Sequence, residues 1–303
     1  MKTIFLTIAV AALLGVSAAG GASGPAVRAK IETGRNVCGA KAAFGSMWVA
    51  NDGSGTLARI DPRTNRVTAR IPVGNGACSV TAGFGALWVA NYEDDVVLRV
   101  DVRGRRVVPV AVSASPEDVV AAFGRLWVTA WEAGELDEID PRTLRVVRRI
   151  DVGPRPVGLA VRRGALWVGL GRDATAIARV DPATGVVERV PVGESSPNLF
   201  VDGTADLWVV ASGGDLLVRV DPDTKRVRAR LPIGRTLGHG AGAPDGTIWV
   251  PDKEQNVVYR IDPRGNRVID TVPAGSGAFA AAKAFGSMWV TSYAGQDVWR
   301  FHP

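Results

Sequence analysis

The sequence has little of the chemistry that usually declares a function: two cysteines, two histidines and three tyrosines in 303 residues. Cys38 and Cys78 stand forty positions apart, a spacing that matches no short metal-binding motif. No cysteine follows the N-terminal apolar stretch Ile4 to Val16, which argues against a lipid-anchored exported protein. That stretch is also the longest apolar run near the N-terminus and is shorter than the ~20 residues a spanning helix needs, which argues against a membrane anchor. The formal charge is +6, yet no basic stripe interleaved with stacking aromatics is present, so a nucleic-acid surface is not indicated. What the N-terminus does show is Lys2, the apolar run and the small residues Val16-Ser17-Ala18. This pattern predicts a secretory signal over residues 1–18, a flexible lead-in over 19–25, and a secreted or periplasmic protein beyond it.

What the chain has in abundance is one phrase repeated seven times around a tryptophan. Phe44-Gly-Ser-Met-Trp-Val-Ala-Asn51, Phe84-Gly-Ala-Leu-Trp-Val-Ala-Asn91 and Phe285-Gly-Ser-Met-Trp-Val-Thr-Ser292 are three of its copies. The tryptophans, Trp48, Trp88, Trp127, Trp167, Trp208, Trp249 and Trp289, are 40, 39, 40, 41, 41 and 40 residues apart. A period near forty with four strand-like segments per repeat predicts an all-β fold, a seven-bladed β-propeller with four antiparallel strands per blade over residues 26–303. The motif segments are apolar on both faces, as in Leu87-Trp88-Val89, so the tryptophans are expected to pack blade against blade. Asp61-Pro62, Asp140-Pro141, Asp181-Pro182, Asp221-Pro222 and Asp262-Pro263 mark the third turn, where proline presets the backbone and aspartate accepts amide hydrogen bonds. Arginines such as Arg66, Arg70, Arg105, Arg106, Arg145, Arg148, Arg149, Arg226 and Arg230 recur late in each repeat, where charge protects an exposed outer edge.

The seventh repeat stops at Phe301-His302-Pro303, aligned with the Asp-Pro turn, so His302 is expected in a turn and a fourth strand is missing. Val27-Arg-Ala-Lys30-Ile31-Glu-Thr-Gly34 matches the fourth-strand segment Val67-Thr-Ala-Arg70-Ile71-Pro-Val-Gly74. The N-terminal strand is therefore expected to complete the last blade and close the ring.

The residue ten before each tryptophan should begin an innermost strand and face the channel mouth. Those residues are Cys38, Cys78, Glu117, Val157, Asn198, His239 and Phe279. Both cysteines and the histidine outside the C-terminal tail fall on this ring. Export favours a Cys38–Cys78 disulfide. It would require Cα atoms within about 7 Å, and closing a forty-residue loop would contribute about 4 kcal/mol on the chain-entropy model. The alternative is a divalent-cation or thiol site shared with Glu117, Asp118 or His239. His239 lies between glycines that allow close backbone approach, and Asp252, at the end of a strand of the same repeat, is a candidate partner for an acid–base pair. Asn51, Asn91, Tyr92, Trp131, Arg155, Asn198, Arg235 and Tyr293 are expected on the same face, a mixture suited to a small polar ligand or a peptide.

The repeat resembles that of the YVTN-type (YncE-like) propellers: Trp-Val-Ala-Asn at 48–51 and 88–91 stands where that family has Tyr-Val-Thr-Asn, and Val-Asp-Pro-x-Thr at 180–184 and 220–224 also fits. The likeness spans roughly 27–303. The pattern is also similar to that of the streptogramin (virginiamycin B) lyases, metal-dependent enzymes that open a cyclic depsipeptide lactone by elimination. That resemblance implies a catalytic role for His239 and matches Asp252 to a glutamate of that family. At the neighbouring ring positions stand Asn198 and Phe279, where a second histidine would be needed.

Two readings follow. One is a monomeric exported propeller that binds a small ligand, peptide or protein partner at its mouth without catalysis; the other is a lyase or hydrolase working through His239, Asp252 and Glu117 with a divalent cation. The native and denatured masses separate the two fates of the cysteines. Protein from an oxidising compartment should weigh about 2 Da less than the reduced chain and carry no metal adduct if Cys38 and Cys78 are bridged; free thiols with bound metal would reverse that expectation.

Overall fold

A computed structural model describes residues 24–103, 106–171 and 173–302. The expected signal peptide and most of the lead-in lie outside the described residues, as does Arg105. Among the described residues the chain forms twenty-eight strands and two single-turn 3-10 segments, Asp52–Ser54 and Ser212–Gly214. They build five four-stranded sheets and one of eight strands.

Each repeat is an antiparallel meander. The second runs Ala77–Gly83, Ala86–Asn91, Val96–Asp101 and Val107–Ala111, each strand paired to the next. The first hairpin is tight because both of its central residues adopt positive φ, 53° at Phe84 and 73° at Gly85, which matches the right-handed twist of the flanking strands. At the third turn the Asp61 carboxylate accepts the Arg63 N–H at 2.8 Å, and the same bond recurs at Asp140 with Arg142 and at Asp181 with Ala183. Backbone hydrogen bonds at these turns hold the carboxyls of Asp61, Asp140 and Asp181 below their ordinary value. Their repetition is turn geometry.

The seven motif tryptophans are buried. Trp48 packs with Leu87, Val89, Leu98 and Val100 of the next meander, so each indole fills the space between sheets. The indole N–H of Trp48, Trp88, Trp127, Trp167 and Trp289 donates to the carbonyl five residues back, at the end of the inner strand. An arginine lies against most of these rings: Arg59 over Trp48, Arg99 over Trp88, Arg219 over Trp208 and Arg300 over Trp289, at 4.8–6.0 Å. The late arginines do more than charge an edge. Arg70 donates to the Thr33 carbonyl, Arg189 to that of Val152 and Arg230 to that of Val192, each tying an outer strand to the preceding meander.

The first strand, Ala26–Glu32, pairs antiparallel with the last, Asp297–His302, Ala26 opposite His302 and Glu32 opposite Asp297. His302 thus ends a strand and is not in a turn, because the N-terminal strand supplies the partner that extends the pairing. The inner strands pack side by side in chain order, and the last, Ala278–Ala284, also packs on the first, Val37–Ala43. The eight-stranded sheet consists of two meanders joined by a short parallel contact between inner strands Leu199–Asp202 and Gly240–Gly242.

Deleting residues 26–34 removes the strand covering Asp297–His302 together with buried Ile31. Loss of that burial and its ladder should lower unfolding free energy by about 3 kcal/mol or more. Denaturant titration of the truncated chain measures this, and an unchanged midpoint would show that the pairing contributes nothing.

Candidate functional site

The inner strands enclose a cavity of about 320 Å³ to which all seven contribute. Glu117, Asp118, Asn198 and His239 line it together with Cys78, Val157, Leu199 and Phe279. Five inner strands share a register shift at the mouth, between Val37 and Ala40, Ala77 and Val80, Pro116 and Val119, Pro156 and Leu159, and Ala278 and Ala281. Such bulges re-aim side chains. This is how the consecutive residues Glu117 and Asp118 both reach the cavity wall.

Cys38 and Cys78 form a disulfide with Cα atoms 5.1 Å apart. With the sulfurs bonded to one another neither is a thiolate ligand, which overturns the alternative of a thiol or thiol–metal site. Asp118 is engaged: its Oδ1 accepts the Ser79 hydroxyl at 2.6 Å and the Val119 N–H, and its Oδ2 accepts the Leu159 N–H at 2.8 Å. No group of three or more His, Cys, Asp or Glu side chains assembles for a metal among the described residues.

The expected His239–Asp252 pair does not form. Asp252 is buried, and its carboxylate accepts the N–H groups of Arg235, Glu254 and Gln255, so its charge organises its own loop. The glycine beside His239 serves packing: a Cβ on Gly238 would stand 1.9 Å from the Phe279 carbonyl oxygen. The His239 backbone bridges to that neighbouring strand, with its N–H donating to Phe279 and its carbonyl accepting from Ala281. Its ring meets Phe279 edge-on, centroids 5.8 Å apart.

Glu117 is an unspent group of the cavity: its carboxylate has no hydrogen bond among the described residues. Burial, reinforced by the Asp118 charge, pushes it up from 4.5 to about 7. Asp202, further along the channel, is also raised, first by desolvation and then by Asp118, against the attraction of Lys41, His239 and Arg162. Its carboxylate lines the same cavity and is exposed there.

The other expected site residues lie elsewhere. Asn51 is buried, accepts the Thr33 hydroxyl and donates to Thr56. Asn91 is buried and holds its loop through Val73, Glu93 and Asp94. Arg155 stacks 3.9 Å over Trp131 in a separate surface depression. Arg235 is exposed and pairs with Glu254 at 3.2 Å. Tyr92 and Tyr293 both donate to Asp52, at 3.2 and 3.0 Å, and Lys253 lies 4.2 Å over the Tyr293 ring. Asp52 was missing from the expected residues, as were Asp202, Lys41 and Lys253. The sequence did carry a signal for the first and last of these. Asp52, Tyr92, Trp131, Lys253 and Tyr293 each stand four residues after a motif tryptophan, a second register of the same repeat.

No protein-family model matches this chain, and no curated protein matches it in sequence. Solved structures do resemble it. A streptogramin B lyase superposes with TM-score 0.76 at 15% identity, covering 88% of this chain and 93% of that one. A Kuenenia stuttgartiensis hydrazine synthase gives 0.75 at 16%, covering 87% and 94%, and virginiamycin B lyase from Staphylococcus aureus gives 0.75 at 14%, covering 88% and 94%. At such identities the likeness establishes the fold, a β-propeller, and nothing of the chemistry.

The raised Glu117 carboxyl has a consequence for stability. Between about 4.5 and about 7 the folded chain holds a proton that the unfolded chain has released, so stability should fall as pH rises through that window. Asp202 adds a decline of the same sign. Urea titrations across this range should show a shallower decline for Glu117→Gln than for the parent; identical slopes would place the Glu117 carboxyl in ordinary solvent.

Proposed function

We propose that this chain is an exported, seven-bladed β-propeller that binds a small polar ligand or peptide at its channel mouth and performs no chemistry on it. The blade count treats the eight-stranded sheet as two blades, since only two residue pairs join its halves. The pairing of Ala26–Glu32 with Asp297–His302 supports a ring closed by the N-terminal strand. The disulfide supports an oxidising destination.

One observation carries the binding reading: Glu117 and His239 line the same cavity with no side-chain hydrogen bond of their own, between the apolar walls of Val157, Leu199 and Phe279. A cavity of this size lies within the range of small-molecule sites, about 300–1,000 Å³. Its polar groups are few and convergent, which favours selective binding of a ligand with hydrogen-bonding groups. Asp252 is committed to backbone amides and does not orient His239 as a general base.

The same two side chains support a second reading. Resemblance to structures of streptogramin B lyases, together with His239 and Glu117 lining the same cavity, favours a lyase in which His239 moves the proton.

A thermal-shift panel of small amines, amides and short peptides tests the first reading. At least one compound should raise the melting temperature of the parent, with affinity about tenfold or more weaker in Glu117→Gln or His239→Ala. A panel that stabilises parent and variants alike, or neither, would count against the mouth as the binding site. Turnover of a streptogramin B that disappears in folded His239→Ala would select the lyase.

A further inference from the structure

The opposite end of the channel carries an asymmetry unrelated to the mouth. The hairpin that follows each inner strand begins with phenylalanine in four repeats, and these are contiguous in the packing order: Phe285, Phe44, Phe84 and Phe123. All four rings are exposed, at 40, 47, 45 and 45%. All four residues have positive φ, from 49° to 53°, a conformation suited to asparagine or glycine in such turns. Phenylalanine there is conformationally disfavoured and leaves nearly half of its surface exposed, so turn chemistry does not explain its repeated use.

Charge follows the same division. The third turns of the repeats bearing Phe44, Phe84 and Phe123 lie at the same end and carry Arg63, Arg103 and Arg142, all exposed. Exposed Lys283 stands near the end of its inner strand. In the repeats without phenylalanine the hairpins carry Arg163, Gly203 and Asp245, and the third turns carry Ala183, Asp223 and Arg264. Arg163 there is paired to Asp223 at 3.0 Å, and Asp245 to Arg260 at 2.9 Å. In the phenylalanine-bearing part Arg63 lies 3.7 Å from Asp61 and Arg125 3.2 Å from Glu138, while the exposed Arg103 and Arg142 make no ion pair among the described residues, so that part is aromatic and keeps unpaired cations.

We infer that this Phe44–Phe84–Phe123–Phe285 face docks reversibly on an anionic lipid bilayer. Each ring sits on its own hairpin, and the four are spread over four neighbouring repeats. Separate aromatic tips suit a fluid interface that closes around each one, and flanking Lys and Arg are complementary to anionic headgroups. Such docking would leave the channel mouth, at the other end of the inner strands, facing solvent.

The test is flotation of the full chain with vesicles of mixed phosphatidylglycerol and phosphatidylcholine, and with vesicles of phosphatidylcholine alone. The parent should bind the anionic vesicles, more weakly at high salt. Replacing the four residues together (Phe44→Asn, Phe84→Asn, Phe123→Asn, Phe285→Asn) should reduce that binding about tenfold or more. Asparagine suits the positive φ, so the variant should keep its circular dichroism and melting temperature. A second variant, Arg63→Glu with Arg103→Glu and Arg142→Glu, should lose binding without touching the hairpins. Parent and variants share residues 1–23, so any contribution of that segment cancels. The inference is overturned if the parent does not float, if both variants float like the parent, or if neutral vesicles bind equally well. A concentration-dependent dimer in sedimentation that the phenylalanine variant abolishes would also overturn it, by assigning the face to a second copy of the chain.

Discussion

The constraint on which the molecule depends is the buried indole at the centre of each repeat. It fills the gap between neighbouring sheets, and in five repeats its N–H also holds the carbonyl that ends the inner strand. One side chain thus fixes both the spacing of adjacent sheets and the point at which the first hairpin turns. The arginines laid against several of these rings, and those reaching back to the carbonyls of Thr33, Val152 and Val192, extend the same interlock toward the rim. In such an arrangement each sheet is stabilised mainly by its neighbours, and the first strand pairs with the last.

That regular frame leaves the inner strands free to vary, and the chemistry gathers there. The bulges at their starts tilt successive residues toward the cavity, so a carboxylate pair such as Glu117 and Asp118 occurs without distorting the sheet. The two acids then meet different fates. Asp118 is held by a hydroxyl and two backbone amides, whereas Glu117 keeps its lone pairs unspent and its proton affinity high. The disulfide sets two of the wall strands against each other at the same level. The cavity wall thus keeps two carboxyls, Glu117 and Asp202, and the His239 imidazole without side-chain hydrogen bonds among the described residues.

The repeats, their strands, the turn aspartates and the cysteine pairing were legible because each depends on local pattern or on equivalent positions in a periodic chain. The cavity wall was legible in part for the same reason: counting ten residues back from each tryptophan finds Glu117, Asn198 and His239. The count failed where a side chain's direction depends on what surrounds it. Asp252 stands at the right end of the right strand, but three amides of its own loop claim its carboxylate. Asn51 and Asn91 are likewise consumed by their turns, and the glycine beside His239 answers to the neighbouring strand's carbonyl.

The sequence by itself determined the all-β architecture, the length and order of its repeating units and the residues that fill the space between them. It could do so because hydrophobic period and turn chemistry act over a few residues and are repeated often enough to be unmistakable. Only the tertiary structure decided which polar groups remain available, since a buried donor or acceptor is satisfied by whichever partner folding brings near, often from another repeat. Tyr92 and Tyr293, some two hundred residues apart in the chain, meet on Asp52 for that reason. Glu117 is left to the cavity because no partner reached it.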